Sequence, residues 1–459
     1  MSTDASRTML PPGPRLPVAF QTALILADEP RFATAAHRRY GDVFTLRCAP
    51  ADQRLVFLNR REHIKEVFSG DPSTFHAGEG NKLLRTVMGE HSVLLVDDEV
   101  HLRARKLLMP AFNGAALRSY EGLVGGLAKR EVDAWNPNAT LVALERMNAL
   151  TLEIIMQVVF GVTDEERLRR LRPVVNTTIN IGALTLLAWA YPKLQKYPPW
   201  RAYMANKQRF DELLYAEIAE RRSATDLEQR DDVLTRLLLV GAGDDNAHEP
   251  LSDAELRDQL VTLLLAGHET TASALSWTLH ELAQNPEKQR RARLAADEGD
   301  RKYLEAVLKE AMRMHPVIDQ VRRVLKQDAT VADYHLPAGT TVVPSVRLAH
   351  KSTVNYPDPQ TFRPERFIDG VERRGGSEER AGRRARPEGE VASNTWLPFG
   401  GGVRRCLGAG FSLMEGTIIL GEILQRYSVR PDPKSRERES VRNITTVPKR
   451  KARVVLTVR

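Results

Sequence analysis

Hydrophobic and polar positions follow two different periods along this chain, and the switches between them mark out its elements. Residues 42–47 (DVFTLR) and 54–60 (RLVFLNR) are rich in β-branched and apolar side chains, which predicts a small hairpin-like sheet. From Arg61 to Leu282 the spacing is helical. The clearest helix starts at Ser252, where Ser252-x-x-Glu255 is a capping box, and runs apolar to the Asn285-Pro286 stop. About thirty residues at 1.5 Å each make a rod on the order of 50 Å long. Its VTLLLAG stretch is apolar on several faces, so this helix is expected to cross the middle of the molecule. A second helix is predicted over 301–314, stopped by Pro316, with strands within 329–345 around the Leu336-Pro337-Ala338-Gly339 turn. The stretch after Gly408 (AGFSLMEGTIILGEILQRY) reads as a helix and the C-terminal VVLTV as a strand. The fold class expected is mainly α with a smaller β region.

Two stretches stand apart from this pattern. Residues 173–192 (PVVNTTINIGALTLLAWAYP) run about twenty positions without a charge, the length of a membrane span. Asparagines and threonines dilute the stretch and prolines bracket it, which favours a buried or access-channel helix, with membrane contact at most peripheral. Residues 371–390 (VERRGGSEERAGRRARPEGE) are low-complexity, and their charges nearly balance, as expected of an exposed loop without chemistry of its own. No internal repeat is found.

With 459 residues and 42% hydrophobic content, the chain can bury a large core. The net charge of +8 would suit an acidic partner, but its lysines and arginines are scattered without a nucleic-acid-binding signature. Two distant cysteines, Cys48 and Cys406, exclude a disulfide framework and a cysteine-built zinc site. They fit a reducing, cytoplasmic setting, and the opening MSTDASRTMLPPGPRLP has the pattern of neither a signal peptide nor an anchor.

The strongest chemical signal is Phe399-Gly400-Gly401-Gly402-Val403-Arg404-Arg405-Cys406-Leu407-Gly408. Cys406 is expected just before a helix N-terminus, where backbone N–H groups and the dipole favour a thiolate over a thiol. The glycines allow the backbone close to a flat ligand, and Arg404 is placed to pair with an anionic group on it. Judged on Cys406 alone, the stretch reads first as a glycine-rich turn with a half-buried cysteine. No dinucleotide-binding G-x-G-x-x-G register fits it.

The decapeptide matches F-x-x-G-x-R-x-C-x-G, and here the chain resembles the cytochrome P450 family of haem-thiolate enzymes. Ala266-Gly267-His268-Glu269-Thr270, Glu310-x-x-Arg313, Pro364-Glu365-Arg366-Phe367, His101-x-x-x-Arg105 and the PPGP near the start extend the resemblance over nearly the whole chain. It implies one domain over 1–459, with 1–17 as an N-terminal hinge and haem b (iron protoporphyrin IX) between the long helix and the cysteine loop. Cys406 would be the axial ligand, within a haem loop that includes Phe399, Gly402, Arg404 and Gly408. A thiolate ligand pushes electron density to iron and favours O–O cleavage. His101, Arg105 and Arg323 would reach the haem propionates, with neighbouring Arg322 leaving the register open.

Glu269 and Thr270 would serve dioxygen and its protons. On local grounds they read equally as a solvated acid and a threonine bonded to the preceding turn. His268-Glu269 also begins a zinc-protease signature, but Ala272 stands where the second histidine belongs. Glu310 and Arg313 share a helix face and would join Arg366 in a buried network under the haem loop, although such pairs are usually surface bridges. Leu263, Ala266, Val317, Ile318, Ile444 and Val447 are the apolar candidates for the substrate pocket. The family often has a second proline where this chain reads Val317-Ile318-Asp319-Gln320, so the turn facing the substrate is expected to differ.

The expected reaction is monooxygenation of a small lipophilic substrate with dioxygen, using electrons from a separate ferredoxin-like donor and its reductase. A haem-thiolate isomerase or peroxygenase would need no donor, and a haem carrier would need no acid–alcohol pair in its central helix.

Overall fold

The structure is a computed structural model that describes residues 10–49, 52–161, 164–179, 192–240, 249–368, 395–433, 436–442 and 444–459. Its helices are α1 Val18–Tyr40, α2 Arg61–Ser69, α3 Arg85–Met88, α4 Asp98–Leu108, α5 Gly114–Asp133, α6 Ala143–Phe160, α7 Glu165–Ile179, α8 Trp200–Arg222, α9 Val233–Leu239, α10 Asp253–Gln284, α11 Pro286–Glu298, α12 Arg301–Met314, α13 Val346–His350 and α14 Ala409–Arg426. Its strands are β1 Val43–Cys48, β2 Gln53–Leu58, β3 Phe75–His76, β4 Thr140–Val142, β5 Arg323–Leu325, β6 Ala329–Val331, β7 Tyr334–Leu336, β8 Thr341–Pro344, β9 Tyr427–Pro431, β10 Glu439–Arg442, β11 Thr445–Pro448 and β12 Arg453–Val458.

The long helix forms where its signals put it. The Ser252 hydroxyl accepts from the Glu255 N–H at 3.3 Å, and Glu255 accepts the Ser252 N–H at 2.9 Å, so the box holds both orphan donors. From there α10 runs to Gln284 through the helical core, buried for most of its length. Its closest neighbour is α6. A Cβ on Gly267 would lie 2.8 Å from Ile155 Cδ1, so glycine at this point lets the two helices approach. The Thr151 hydroxyl of α6 donates to the His268 carbonyl at 3.0 Å at the same crossing.

The β region stands to one side. β1 and β2 form the expected antiparallel hairpin, pairing Val43 with Leu58, and β8 joins β2 in parallel. The sheet order is β1-β2-β8-β5-β3, with Phe44 and Phe57 stacked at 5.0 Å in a second apolar cluster. The helical stretch expected from Arg61 to Leu282 is interrupted by β3 and β4, which are too short to set a period of their own. β4 edges a sheet with the distant β12 and β9. Of 173–192, helix is seen to Ile179 in α7, and residues 180–191 lie outside the described residues. The loop over 371–390 lies outside them as well. Among the described residues, no helix is long and apolar enough to cross a membrane.

Candidate functional site

The cysteine loop is shaped by packing against α2. Gly402 has φ +64°, and a Cβ there would sit 1.9 Å from the Phe68 carbonyl oxygen, so only glycine fits. The Cys406 N–H donates to the Phe399 carbonyl at 2.9 Å, closing the loop three residues before α14. Phe399 packs edge-on against Trp396 at 5.7 Å. The Gly408 N–H donates to the Cys406 sulfur, and a Cβ on Gly408 would meet nothing within 4 Å, leaving room beside the sulfur. Packing around the loop raises the Cys406 thiol pKa from its ordinary value through desolvation, the Gly408 N–H, Arg105 and Arg405 pull it down, and the residue itself is exposed.

Basic side chains gather beside this loop. His101 and Arg105, one turn apart on α4, make no side-chain hydrogen bond among the described residues. Burial, followed by the charges of Arg404, Arg105 and Arg323, drives the His101 pKa down to about 4, with Asp97 opposing. Arg105 feels Cys406 as its main favourable charge. Burial brings Arg323 down to about 10, and its Nη1 donates to the Arg322 carbonyl at 2.9 Å. Arg322 points away to Glu29 at 2.9 Å, so tertiary structure places Arg323 in the cluster.

Arg404, expected to meet a ligand, also has partners within the protein. Its guanidinium donates to Asp97 at 2.5 Å and to the Val93 and Val96 carbonyls at 3.2 and 2.6 Å. Asp97 also accepts from the Ala77 and Gly78 N–H groups, both at 2.9 Å. It is the hub that sequence reading missed, since nothing local distinguishes it from Asp98. Arg404 therefore braces the loop. Arg105 and Arg323, beside neutral His101, are left with a surplus of positive charge, and the acid groups of a porphyrin fit that surplus in sign.

On the opposite side, the Thr270 hydroxyl donates to the Ala266 carbonyl at 2.7 Å, leaving its oxygen free to accept. Glu269 is paired with Arg442 at 3.5 Å. The Thr271 and Ser412 hydroxyls, 3.1 Å apart, tie α10 to α14 and so bring the acid–alcohol pair close to the cysteine loop. Buried beside them is Glu415, also unforeseen. Burial raises its pKa to about 8, and the nearby Thr271 hydroxyl, too poorly aligned for a full hydrogen bond, opposes the shift only in part.

The Glu310 network is fully buried. Arg313 donates to Glu310 at 2.7 and 2.9 Å and to the Pro359 carbonyl at 2.9 Å, and Arg366 reaches Glu310 at 3.3 Å. The surface-bridge alternative is excluded by zero exposure of both Glu310 and Arg313. The pocket candidates divide. Leu263 belongs to the helical core, and Val317 packs in a cluster with Met312 and Phe399. Ile444, at 54% exposure, sits in the turn between β10 and β11. Ala266 is exposed, Ile318 half-buried and Val447 buried on β11, which packs on α10.

Comparison with known proteins matches this geometry. A sequence model described as cytochrome P450 covers residues 11–455. A Mycobacterium tuberculosis protein provisionally named cytochrome P450 135A1 is 51% identical over 450 residues, 98% of this chain and 95% of that one. A Mycobacterium bovis protein provisionally named cytochrome P450 135B1 is 41% identical over 452 residues, 97% and 91% of the two chains. Among solved structures, a retinoic acid-bound cyanobacterial CYP120A1 is similar with a TM-score of 0.81 and 25% identity, covering 98% of this chain and 99% of that one.

Proposed function

This chain belongs to the cytochrome P450 family of haem-thiolate monooxygenases, and from that premise we propose that Cys406 is the axial thiolate of its haem and that a small lipophilic substrate is oxidised beside Thr270. Bound iron protoporphyrin IX supplies the activation of dioxygen, one oxygen atom going to substrate and the other leaving as water. The observation that carries the assignment is the surplus of positive charge at Arg105 and Arg323, next to neutral His101 and beside the Cys406 loop.

Each residue then has a role at a stated atom. The Gly408 N–H stabilises negative charge on the Cys406 sulfur, and Phe399 and Gly402 set the loop's shape. Arg105 and Arg323 hold the haem acids, with neutral His101 as a hydrogen-bond partner, while Arg404 fixes the loop through Asp97. The Thr270 oxygen holds a proton-carrying water, and Glu269 passes protons inward from the side of Arg442. Glu310, Arg313 and Arg366 support the haem loop without touching reactants. Ala266, Ile318 and Val447 border the substrate. The retinoic acid in the cyanobacterial neighbour is a lipophilic molecule of the proposed class.

The whole chain is read as one cytoplasmic haem-binding domain that receives electrons from a ferredoxin-like protein and its reductase. The reduced protein with carbon monoxide is expected to give the red-shifted band of thiolate-ligated haem, and Cys406→Ser to lose it. A histidine-type spectrum in the wild type would refute the ligand assignment. Consumption of NAD(P)H and dioxygen in step with product separates monooxygenation from isomerase, peroxygenase or carrier activity.

A further inference from the structure

The end of α12 carries a histidine that the reaction as described does not use. His315 lies flat against Trp277 of α10, with ring centroids 3.9 Å apart and planes within 5° of parallel. Its Nε2 is 2.8 Å from Glu281 Oε1, on α10, and its Nδ1 is 3.1 Å from Glu439 Oε1, on β10. A neutral imidazole donates from one nitrogen only, and an ionised carboxylate donates from neither oxygen. Both contacts are satisfied together when the ring carries two protons. Burial opposes that charge, but the hydrogen bonds that the ring donates to the two carboxylates outweigh it and hold the His315 pKa above the ordinary histidine value.

The surroundings balance around a charged ring. Glu439 also pairs with Arg347 of α13 and with Lys351 just beyond it, and Arg347 reaches Asp319 at 3.4 Å. His280 of α10 is a further titratable neighbour; burial holds its pKa down, with Glu281 and Glu437 opposing. His315, Arg347 and Lys351 thus face Glu281, Glu439 and Asp319, cation for carboxylate. Losing the His315 proton leaves a buried carboxylate without its counter-charge, a costly state.

This cluster holds two chain segments together. The Thr446 N–H of β11 donates to the Val317 carbonyl at 2.7 Å, and the Arg347 N–H donates to the Asp319 carbonyl at 2.9 Å. The Arg347 side chain also reaches the Thr446 hydroxyl at 3.3 Å. Turn 316–321 therefore runs from His315 towards Arg323 in the haem-side cation cluster, held at Val317 by β11 of the β10–β11 hairpin, at Asp319 by α13 and at Val321 by β8. We propose that His315 is a positioning residue whose doubly bonded, charged form clamps turn 316–321 and the β10–β11 hairpin against α10, and whose deprotonation loosens that wall and weakens binding in the pocket. The proposal rests on the haem-pocket reading above, in which Ile318 and Val447 border the substrate. Because the folded His315 holds its proton more tightly than an unfolded one, the clamp is fully present below about pH 6.5 and is lost as pH rises through the higher folded value.

Fluconazole, a triazole that stays neutral over this range, is a suitable probe of the haem-loaded protein. Any shift of the Soret band reports haem with an accessible pocket, and the pH dependence of its Kd reports the clamp. Between about pH 6 and about pH 9 the Kd is expected to rise about tenfold, the change carried by one pKa unit of coupling. Glu281→Gln is expected to move the midpoint down, because the imidazolium loses a carboxylate, and His315→Gln to flatten the profile. Carbon monoxide spectra at each pH separate this from haem loss. A pH-independent wild-type Kd, or a midpoint unmoved by Glu281→Gln, overturns the proposal. Glu415, the other buried group titrating in this range, would give just such an unmoved midpoint. Should His315→Gln fail to fold, the wild type and Glu281→Gln still decide. No Soret shift at any pH would refute the haem-pocket reading itself, and the proposal with it.

Discussion

Thr270 and Glu269 differ in what each can lose. The Thr270 hydroxyl spends its proton on the Ala266 carbonyl and offers lone pairs, so removing it takes away a place to hold water without unpairing a buried charge. Thr270→Ala is expected to bind haem and substrate, to oxidise cofactor still, and to form less product with more hydrogen peroxide. Loss of one positioned proton relay costs roughly 10²–10⁴-fold in the step it serves. Glu269→Gln should instead slow dioxygen turnover as a whole. Product per NAD(P)H consumed, with peroxide assayed alongside, checks both, and wild-type coupling in Thr270→Ala would remove its role. Glu415 behaves differently. Its carboxyl, ordinarily near 4.5, titrates at about 8 when folded, so folding must take up a proton, and the cost grows with pH between those values. Glu415→Gln is expected to gain about 2–4 kcal/mol near pH 7.5 and nothing near pH 4, read from urea midpoints. Equal midpoints at both pH values would mean that water reaches the site. The sequence motif exposed Cys406, Glu269 and Thr270. Glu415 carries no such mark, because its distinction is complete burial where α10 and α14 meet, with Thr271 alone to offset it in part.

At the scale of elements, Glu310 ties α12 to residues 363–366. The helix ends where Pro316 ends it, and its spacing puts Glu310 and Arg313 on one face, but spacing cannot tell a buried pair from an exposed one. Here Glu310 meets Arg313 and Arg366 with no exposure, and the Arg363 N–H donates to it at 3.0 Å. Removing one partner from such a group leaves a buried charge unmatched, a loss of roughly 3–5 kcal/mol. Glu310→Ala is therefore expected to give little haem-loaded protein, measured as the ratio of haem absorbance to protein. Haem-replete, spectrally normal Glu310→Ala would show the network to be dispensable. The capping box of α10 and the β1–β2 hairpin were legible locally because their partners lie within a few residues. Strands β3 and β4 were not, since each exists only through a partner far along the chain.

Across the whole molecule, the net charge of +8 becomes directional only after folding. Lys106 and Arg405 are exposed near Cys406, while Arg103, in the same basic stretch as Lys106, is drawn off to Glu255 at 2.5 Å. Reduction by an acidic ferredoxin is expected to slow as salt rises, because exposed charges are screened beyond about 8 Å at physiological ionic strength. Lys106→Glu with Arg405→Glu should slow it further at low salt, by stopped-flow. A flat salt profile with both changes inert would place the docking surface elsewhere. What the sequence determined by itself were features written in neighbouring residues: the period and ends of the long helices, the cysteine loop with its glycines, and the pairing of acid and alcohol in α10. What only tertiary structure decided were choices between residues of the same kind: Arg323 over Arg322 for the cation cluster, Arg404 as a brace to Asp97, and Val447 buried where Ile444 is exposed. Local signals report backbone preference, which nearby residues set, whereas the environment of a side chain depends on distant segments that meet only when the core closes.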